Sequence, residues 1–285
     1  MKSLLHCRPN QPGMSTGAPG FSDKMAGSRP IIPSLAPRFR AIPNHLARSS
    51  IYAPIARGRR ILHQGTTLIS RSDAIIRFSG QQLDQSHADV WMQLLYESTL
   101  FPVGRPFAIN RATFLRAIGR HTGNCEYKWL MRSMEALAFG MLVIDVRTNR
   151  GDRKLSIGET RALHMIDSFD CDHSTGKYVV RLDDRWRHMF EGREYALIDW
   201  NKRMEFSAHQ DMAKALQLLI ATSNESPQRF PVERLKEQLG YDGRPRDFLR
   251  SLDKAIRELE RVEIIAGGRI ALNSRNMLQA VWNRL

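Results

Sequence analysis

Apolar residues recur at helical spacing in two separate parts of the chain. Intervals of three and four residues predict one helix over 124–138 and another over 244–261, each with a single buried face. The apolar positions that define these helices are Tyr127, Leu130, Met134 and Leu137 in the first, and Phe248, Leu252, Ile256 and Leu259 in the second. Each long helix follows a shorter helix after a turn, so the pattern predicts two helix-turn-helix units.

The first unit begins with an amphipathic segment. Residues 84–97 carry apolar side chains at helical spacing, and a short strand is predicted over 106–109. Asn110 is a favourable N-cap for a helix over 111–120, and Asn124 is predicted to cap the long helix that follows. The segments therefore run in the order helix, strand, helix, turn and helix.

The second unit repeats this order, and a β-hairpin is predicted after each long helix. A helix is predicted over 204–222, and Pro231 stands at the first position of the next helix, where its missing N–H costs little. In the first unit, 141–146 alternates as a strand before a basic turn over 148–153. In the second, a hairpin over 262–272 turns at two adjacent glycines. A hairpin after a helix-turn-helix is typical of a winged helix.

The predicted fold class is α+β, with two tandem winged-helix domains after a disordered basic tail. The tail, 1–48, holds seven of the thirteen prolines and seven basic residues against one acid. Such a segment buries too little apolar surface to offset the entropy of ordering the chain. The predicted domains are residues 49–190 and 191–285.

The charge of the chain favours a polyanionic partner. Of 285 residues, 43 are Lys or Arg and 29 are Asp or Glu, which gives a formal net charge of +14. This balance favours nucleic acid or an anionic membrane surface. No apolar run reaches the roughly 18–20 residues that span a bilayer, and no hydrophobic signal-peptide region opens the chain. A cytoplasmic protein is expected.

The predicted long helices carry the candidate chemistry, because the second helix of a helix-turn-helix enters the DNA major groove. Arginine and lysine can bind guanine edges there or hold phosphates. The candidate DNA-binding residues of the second unit are Arg244, Arg246, Arg250, Lys254, Arg257 and Arg269; those of the first are Asn124, Lys128 and Arg132, with Arg150, Arg153 and Lys154 in the basic turn. The alternative interpretation is a solvated helix face whose charges pair with acids four residues away.

Catalytic motifs are missing from the sequence. It contains no GxxxxGK[ST] loop, no HExxH helix and no His-x-His pair, and its three cysteines lie far apart. We therefore expect no enzyme activity, no metal site and no cofactor. A nicking enzyme of rolling-circle replication is the enzymatic alternative, and the missing histidine cluster argues against it.

Several short segments resemble the TrfA family of plasmid replication initiators. They are ARSSIY over 47–52, DVWMQLLY over 89–96, FPVGRPF over 101–107, FLRAIGR over 114–120 and LAFG over 137–140. The resemblance continues through 195–200 and across the second helix-turn-helix, and so covers about residue 42 to the carboxyl end. Its specificity comes from the shared order and spacing of these segments.

The resemblance implies a function in plasmid replication initiation and copy control. A TrfA-like protein binds iterons, which are direct repeats in origin DNA, opens an AT-rich segment and recruits the host helicase and its loader. Monomers of such initiators bind iterons, and dimers are inactive or inhibitory. The family's groove-reading helices correspond to 244–261 and 124–138. The family's Gln-Leu-x-Leu-Phe segment that binds the polymerase clamp is missing here, so clamp binding stays open.

The alternative is that the protein is a winged-helix transcriptional repressor. It would act on its own promoter or on a plasmid promoter. Repressors and initiators read DNA with the same helices, so the sequence does not separate them. The resemblance places either protein in the bacterial cytoplasm, in association with a plasmid.

Overall fold

The computed structural model describes residues 32, 35–55, 60–102, 104–148, 150–172 and 174–285. The elements of the amino-terminal part are β1 (Phe39–Pro43), α1 (Asn44–Ala47), β2 (Tyr52–Ala53), β3 (Leu62–Leu68), β4 (Ala74–Gln81), β5 (Leu83–Asp84), α2 (Gln85–Ser98), β6 (Phe107–Asn110), α3 (Arg111–Ala117), α4 (Asn124–Phe139), β7 (Met141–Arg147) and β8 (Arg153–Ile157). The elements that follow are β9 (Leu163–His164), β10 (Ser168–Asp172), β11 (Lys177–Arg181), β12 (Tyr195–Asp199), α5 (Trp200–Met204), α6 (Asp211–Ala221), β13 (Gln228–Pro231), α7 (Val232–Gln238), α8 (Pro245–Arg261), β14 (Ile265–Leu272) and β15 (Leu278–Arg284).

The second unit is a winged helix. Helices α6, α7 and α8 pack on an antiparallel sheet of order β13-β15-β14, and β14 and β15 form the hairpin called the wing. Its core is a hydrophobic cluster in which Leu216, Phe248, Leu252 and Trp282 are fully buried. The apolar stripe of α8 predicted from the sequence is the face that closes this core.

The first unit repeats the arrangement with a different wing. Helices α2, α3 and α4 accompany a sheet of order β10-β11-β6, in which β6 and β11 pair as β13 and β15 do in the second unit. The wing of the first unit is therefore the β10–β11 hairpin, whose strands come well after α4 in the chain.

The hairpin predicted as the first wing lies in another sheet. Strands β7 and β8 belong to a five-stranded sheet of order β3-β4-β7-β8, with β9 paired to β7. Strand β7 pairs along its length with β4, from Ala74 opposite Val146 to Ser79 opposite Met141. The alternating pattern over 141–146 correctly predicted a strand, but the earlier strand β4 takes one edge of it. The predicted position of the first wing is wrong for this reason.

The two units match closely around the short helix of each pair. Helices α3 and α7 have seven residues each. Ile118 and Leu239 follow them as buried C-caps, and Gly119 and Gly240 come next with φ of 71° and 63°. Glycine adopts this left-handed conformation without a steric penalty. The repeat inferred from element order is thus also a repeat of turn geometry.

Part of the predicted tail is folded. Strand β1 pairs with β12, and Ala41 and Ile42 lie in the first core. The guanidinium of Arg40 is buried, 3.7 Å from the centre of the Tyr96 ring. The structure therefore differs from the predicted disorder over 39–48, because this segment finds a strand partner some 150 residues later. The rest of the predicted tail, apart from residues 32 and 35–38, lies outside the described residues.

The start of the predicted second domain also packs in the first core. Strand β12 pairs with β1, and its Ala196 and Ile198 are buried in the amino-terminal cluster. Helix α6 begins only at Asp211, after the separate helix α5, where one helix over 204–222 was predicted. The cores suggest a division after α5, and the boundary at 190 remains a prediction.

Helix caps and the second wing refine the predicted boundaries. Asn110 caps α3 as predicted, because its side chain accepts from the backbone N–H groups of Ala112 and Thr113. Asn124 is instead the first residue of α4, after the N-cap Gly123. Pro231 is the N-cap of α7. The two glycines expected at the tip of the second hairpin form a bulge inside β14, and the turn lies at 273–277.

Within the described parts of the chain, no helix is long and apolar enough to cross a membrane.

Glu258 ties α8 to the segment that enters the second unit. Its carboxylate accepts from the Arg261 side chain at 2.7 Å and from the backbone N–H of Ser207 at 2.6 Å. The hydrogen bond from Arg261 is the main reason that the pKa of Glu258 falls from 4.5 to about 2. Because the folded state has the lower pKa, this stabilisation is present above pH 4.5 and is lost as the pH falls towards 2.

We expect Glu258→Gln to lower the free energy of unfolding at pH 7 by about 1–2 kcal/mol, since a hydrogen-bonded buried charge is replaced by an amide. It should also flatten the pH dependence of stability between about pH 5 and pH 2. Urea unfolding at several pH values measures both effects. Glu233→Gln, on the exposed face of α7, is the control. If the stability of Glu258→Gln fell between about pH 5 and pH 2 as steeply as that of the wild type, Glu258 would not be the source of this pH dependence.

Candidate DNA interface

Helix α8 presents a row of basic side chains to solvent. Its inward face is apolar, so the outward face is left to charged residues at intervals of four. Arg246, Arg250 and Lys254 are exposed on that face, and we call these three residues the α8 ridge. Arg244, at the N-cap of the helix, is exposed beside them.

Acidic neighbours engage only part of this surface. Arg257 pairs closely with Asp253, one turn earlier. Arg250 lies 4.0 Å from Asp247, a looser contact than that between Arg257 and Asp253. Among the described residues, Arg246 and Lys254 have no acidic partner within 4.0 Å. The solvated, ion-paired face considered as an alternative therefore describes Arg257 well and the α8 ridge poorly.

Helix α4 carries an equivalent row. The buried positions Leu130, Ser133, Met134 and Leu137 of α4 match Leu252, Ala255, Ile256 and Leu259 of α8, each pair 122 residues apart. Aligned in this way, Asn124, Lys128 and Arg132 fall on the positions of Arg246, Arg250 and Lys254. All three are exposed, and we call them the α4 ridge. The two helices thus turn the same positions outward, and the α4 ridge carries one charge fewer.

A groove next to the α4 ridge adds a residue that the sequence analysis missed. The guanidinium of Arg111, the first residue of α3, lies 4.1 Å from the centre of the Tyr127 ring. Arg111, Asn124, Lys128 and Arg132 share one open groove of about 430 Å³ with Tyr127 and Tyr178. The signal in the sequence was the position of Arg111 directly after the N-cap Asn110.

The tip of the second wing is a hydrogen-bonded turn that carries an arginine. Asn273 accepts from the backbone N–H groups of Arg275 at 2.9 Å and Met277 at 3.0 Å, which closes the turn. Arg275 is exposed at the tip. It is a further candidate phosphate or minor-groove contact, and the sequence analysis missed it because the turn was placed at the glycines.

Arg269 lies away from that tip. It stands beside the bulge, where its side chain donates to the carbonyl of Gly267 at 3.3 Å. A Cβ at Gly268 would meet Ile256 of α8 at 2.4 Å, so this part of β14 packs against the middle of the helix. Leu272, four residues on, is about 13 Å farther along the strand. Arg269 therefore lies near the middle of the wing strand, away from the tip that carries Arg275.

The wing of the first unit carries both signs of charge, with Asp170 and Asp172 on β10 and Lys177 and Arg181 on β11. Asp172 accepts from the hydroxyl groups of Ser174 and Thr175, both at 2.6 Å. These hydrogen bonds, with that from Ser174 first, hold the pKa of Asp172 well below its usual range. A carboxylate fixed at this turn repels phosphate, so the two wings differ in the charge that they present.

The basic turn between β7 and β8 is a separate surface. Arg153 lies 3.1 Å from Glu159 and 3.6 Å from Asp145, and Lys154 lies 3.6 Å from Glu194. Arg150 is exposed. These three candidates stand on the five-stranded sheet, outside both winged-helix sheets, and two of them are already paired with acids.

Among the described residues, no group of three or more His, Cys, Asp or Glu side chains is arranged to hold a metal ion.

Comparison with known proteins connects this fold to solved structures. No protein-family model and no curated protein sequence matches the chain. A crystal structure of domains 2 and 3 of RctB, as a selenomethionine derivative, has a TM-score of 0.51 at 9% identity and covers 81% of this chain and 94% of that one.

Two further matches are weaker in TM-score. A second crystal structure of RctB domains 2–3 has a TM-score of 0.49 at 10% identity, and the match covers 84% of this chain and 96% of that one. The crystal structure of the Pi initiator protein in complex with iteron DNA has a TM-score of 0.47 at 17% identity. The match covers 76% of this chain and 98% of that one. At these identities the likeness to RctB concerns the fold alone. It confirms the predicted α+β fold class with tandem winged-helix units, and membership of the TrfA family stays a prediction.

Proposed function

We propose that this protein binds double-stranded DNA with both winged-helix units and initiates plasmid replication at iterons. The observation that carries the proposal is the equivalence of the α4 and α8 ridges. Two helices of different sequence turn the same three positions outward, and five of these six side chains are basic. Burial of the opposite face turns these positions outward in both helices, and the predominance of basic side chains at them favours a polyanionic partner.

The dimensions of the α8 ridge fit a DNA groove. Its outer members are eight residues apart, about 12 Å along the helix. A helix with its side chains is about 10–12 Å across, which fits a major groove about 12 Å wide. Arg246 lies in the first turn, the part of a recognition helix that contacts base edges. We assign Arg275, exposed at the tip of the wing, to the adjacent backbone or minor groove.

Initiation at iterons rests on the TrfA resemblance together with this surface. In the proposed mechanism, several monomers bind adjacent repeats and the free energy of binding and bending opens a neighbouring AT-rich segment. The host helicase and its loader then enter at the opened strands. A dimer in equilibrium with the monomer, and direct clamp contact, are part of what the resemblance implies. No step changes a covalent bond.

Replacing one arginine of the α8 ridge should weaken and broaden DNA recognition. We expect Arg246→Ala or Arg250→Ala to cost about 1–3 kcal/mol of binding free energy if the guanidinium contacts a base. The probe is a duplex enriched from a random-sequence pool by the wild-type protein, and fluorescence anisotropy measures its affinity. Selection repeated with each variant measures specificity.

Arg257→Ala is the matched control for this prediction. It removes the same charge from the same helix, but Arg257 is paired with Asp253 and stands off the α8 ridge. A smaller loss is therefore expected, without relaxed specificity. Equal losses in all three variants would show that the helix acts only through its total charge.

Salt should weaken binding steeply. If each monomer neutralises about 6–10 phosphates, the affinity falls about 10³–10⁵-fold between 50 and 200 mM salt, because condensed counterions are released. The slope of log affinity against log salt measures the number of contacts. A slope near zero would argue against a phosphate-binding surface of this size.

A plasmid assay separates the initiator from the repressor. The gene is supplied beside its own flanking DNA on a plasmid with no other origin, and transformants are counted. Initiation predicts stable transformants with the wild type and none with Arg246→Ala combined with Arg250→Ala. Repression of a reporter promoter without any transformants would favour the repressor instead.

A further inference from the structure

We propose that a buried ionic cluster between the two winged-helix units makes the protein selective for the spacing of its two contact sites on DNA. We call the cluster, formed by Gln85, Asp89, Arg203, Lys214 and Gln217, the interunit junction. The inference rests on the proposed DNA binding by both units. It concerns which duplexes are bound, since a rigid pair of reading helices fits only one separation along the double helix.

The junction is built around one buried carboxylate that two cations share. Asp89 of α2 accepts from the Arg203 guanidinium with one oxygen and from the Lys214 ammonium, at 2.6 Å, with the other. The side chain of Arg203 is 0% exposed, that of Asp89 is 4% exposed and that of Lys214 is 22% exposed. These charges come from three segments: the first unit, the connecting helix α5 and the second unit.

Glutamines from both units complete the set of partners. Arg203 donates to Gln85 of α2 at 3.0 Å and to Gln217 of α6 at 3.1 Å. It also donates to the carbonyl of Lys214 at 3.1 Å. A planar guanidinium holds its partners in a fixed geometry, and an unpaired buried charge is costly. Sliding or rotating the units would break several of these bonds at once, so the junction allows one arrangement.

The junction connects directly to the helices that read DNA. Helix α2 is the first helix of one winged helix and α6 is the first helix of the other, so the cluster joins equivalent elements. Helix α2 packs against α4, and α6 packs against α8. The relative position of the α4 and α8 ridges is therefore transmitted through two packed pairs of helices with the junction between them.

Peripheral contacts support the same arrangement. Arg48 donates to the Thr222 hydroxyl at 2.6 Å, and Gln238 donates to the Arg48 carbonyl at 3.3 Å. Lys202 donates to the Glu263 carbonyl at 2.6 Å. Arg48 also donates to the Thr222 carbonyl at 3.2 Å. These contacts persist without the junction, so its loss should loosen the units without separating them.

The test compares duplexes that differ only in spacing. The probe is the duplex enriched from a random pool, with its two contacted grooves mapped by hydroxyl-radical footprinting. Further probes carry one to five added base pairs between them, and one probe keeps a single groove. Five base pairs turn the second site to the opposite side of the helix, so the wild type should lose about 10²-fold or more in affinity, the advantage of a second linked contact.

The variants remove the junction in two ways. Asp89→Asn leaves both cations without their shared anion, and Lys214→Gln removes the partly exposed partner, a milder change that retains Arg203 and Asp89. Both should bind the single-groove probe as the wild type does and show a spacing penalty reduced to about 10-fold or less. Arg187→Gln, which removes an exposed charge outside the junction, should keep the full penalty. Circular dichroism checks the fold of each variant, and Lys214→Gln carries the test if Asp89→Asn does not fold.

The outcomes separate the inference from the proposed function. A wild type that binds the enriched duplex equally at every spacing overturns the inference and leaves DNA binding intact. Folded junction variants that keep the wild-type penalty overturn it as well. Failure of the wild type to enrich or bind any duplex would instead refute the proposed function.

Discussion

One carboxylate, that of Asp89, holds together the arrangement on which the proposed activity depends. It lies between Arg203 and Lys214, and so each winged-helix unit is fixed to the other by charge as well as by shape. An apolar contact between two units tolerates sliding, because dispersion has no direction. A buried carboxylate with two cations does not, because each lost partner leaves a desolvated charge. The proposed single orientation of α4 relative to α8 rests on this difference.

Around that junction, the two units have diverged in how they present charge. The second unit combines a strongly basic α8 ridge with a wing that carries Arg275. The first combines a weaker α4 ridge with a wing whose turn fixes Asp172 as an anion. The charged side chains of the second wing are all basic, whereas the first wing carries Asp170 and Asp172 beside Lys177 and Arg181. The same fold thus presents different candidate DNA surfaces in the two units, a basic ridge with Arg275 in the second and the groove beside Arg111 and Tyr127 in the first.

Much of the fold and the ridges could be predicted from the sequence because helices impose a period. Burial of Phe248, Leu252, Ile256 and Leu259 leaves only certain positions of α8 outside, and those positions are basic. Strand partners follow no such rule. The alternation over residues 141–146 predicted a strand but did not indicate which strand pairs with it. In the structure this strand, β7, pairs with β4, where a wing was expected. Arg275 was missed for the same reason, since the turn of the second wing depends on a bulge in β14.

The sequence by itself determined the amphipathic helices and the excess of positive charge. These properties depend on residues within a few positions of each other. Only the tertiary structure decided which hairpin is a wing, and that Arg203 among so many basic residues is buried. Both depend on contacts between segments far apart in the chain, where every strand edge and every carboxylate has several competing partners. The physical reason is that the spacing of apolar residues indicates which side of a helix or strand is buried. Which strand or carboxylate pairs with a given segment depends instead on the packing of the whole molecule.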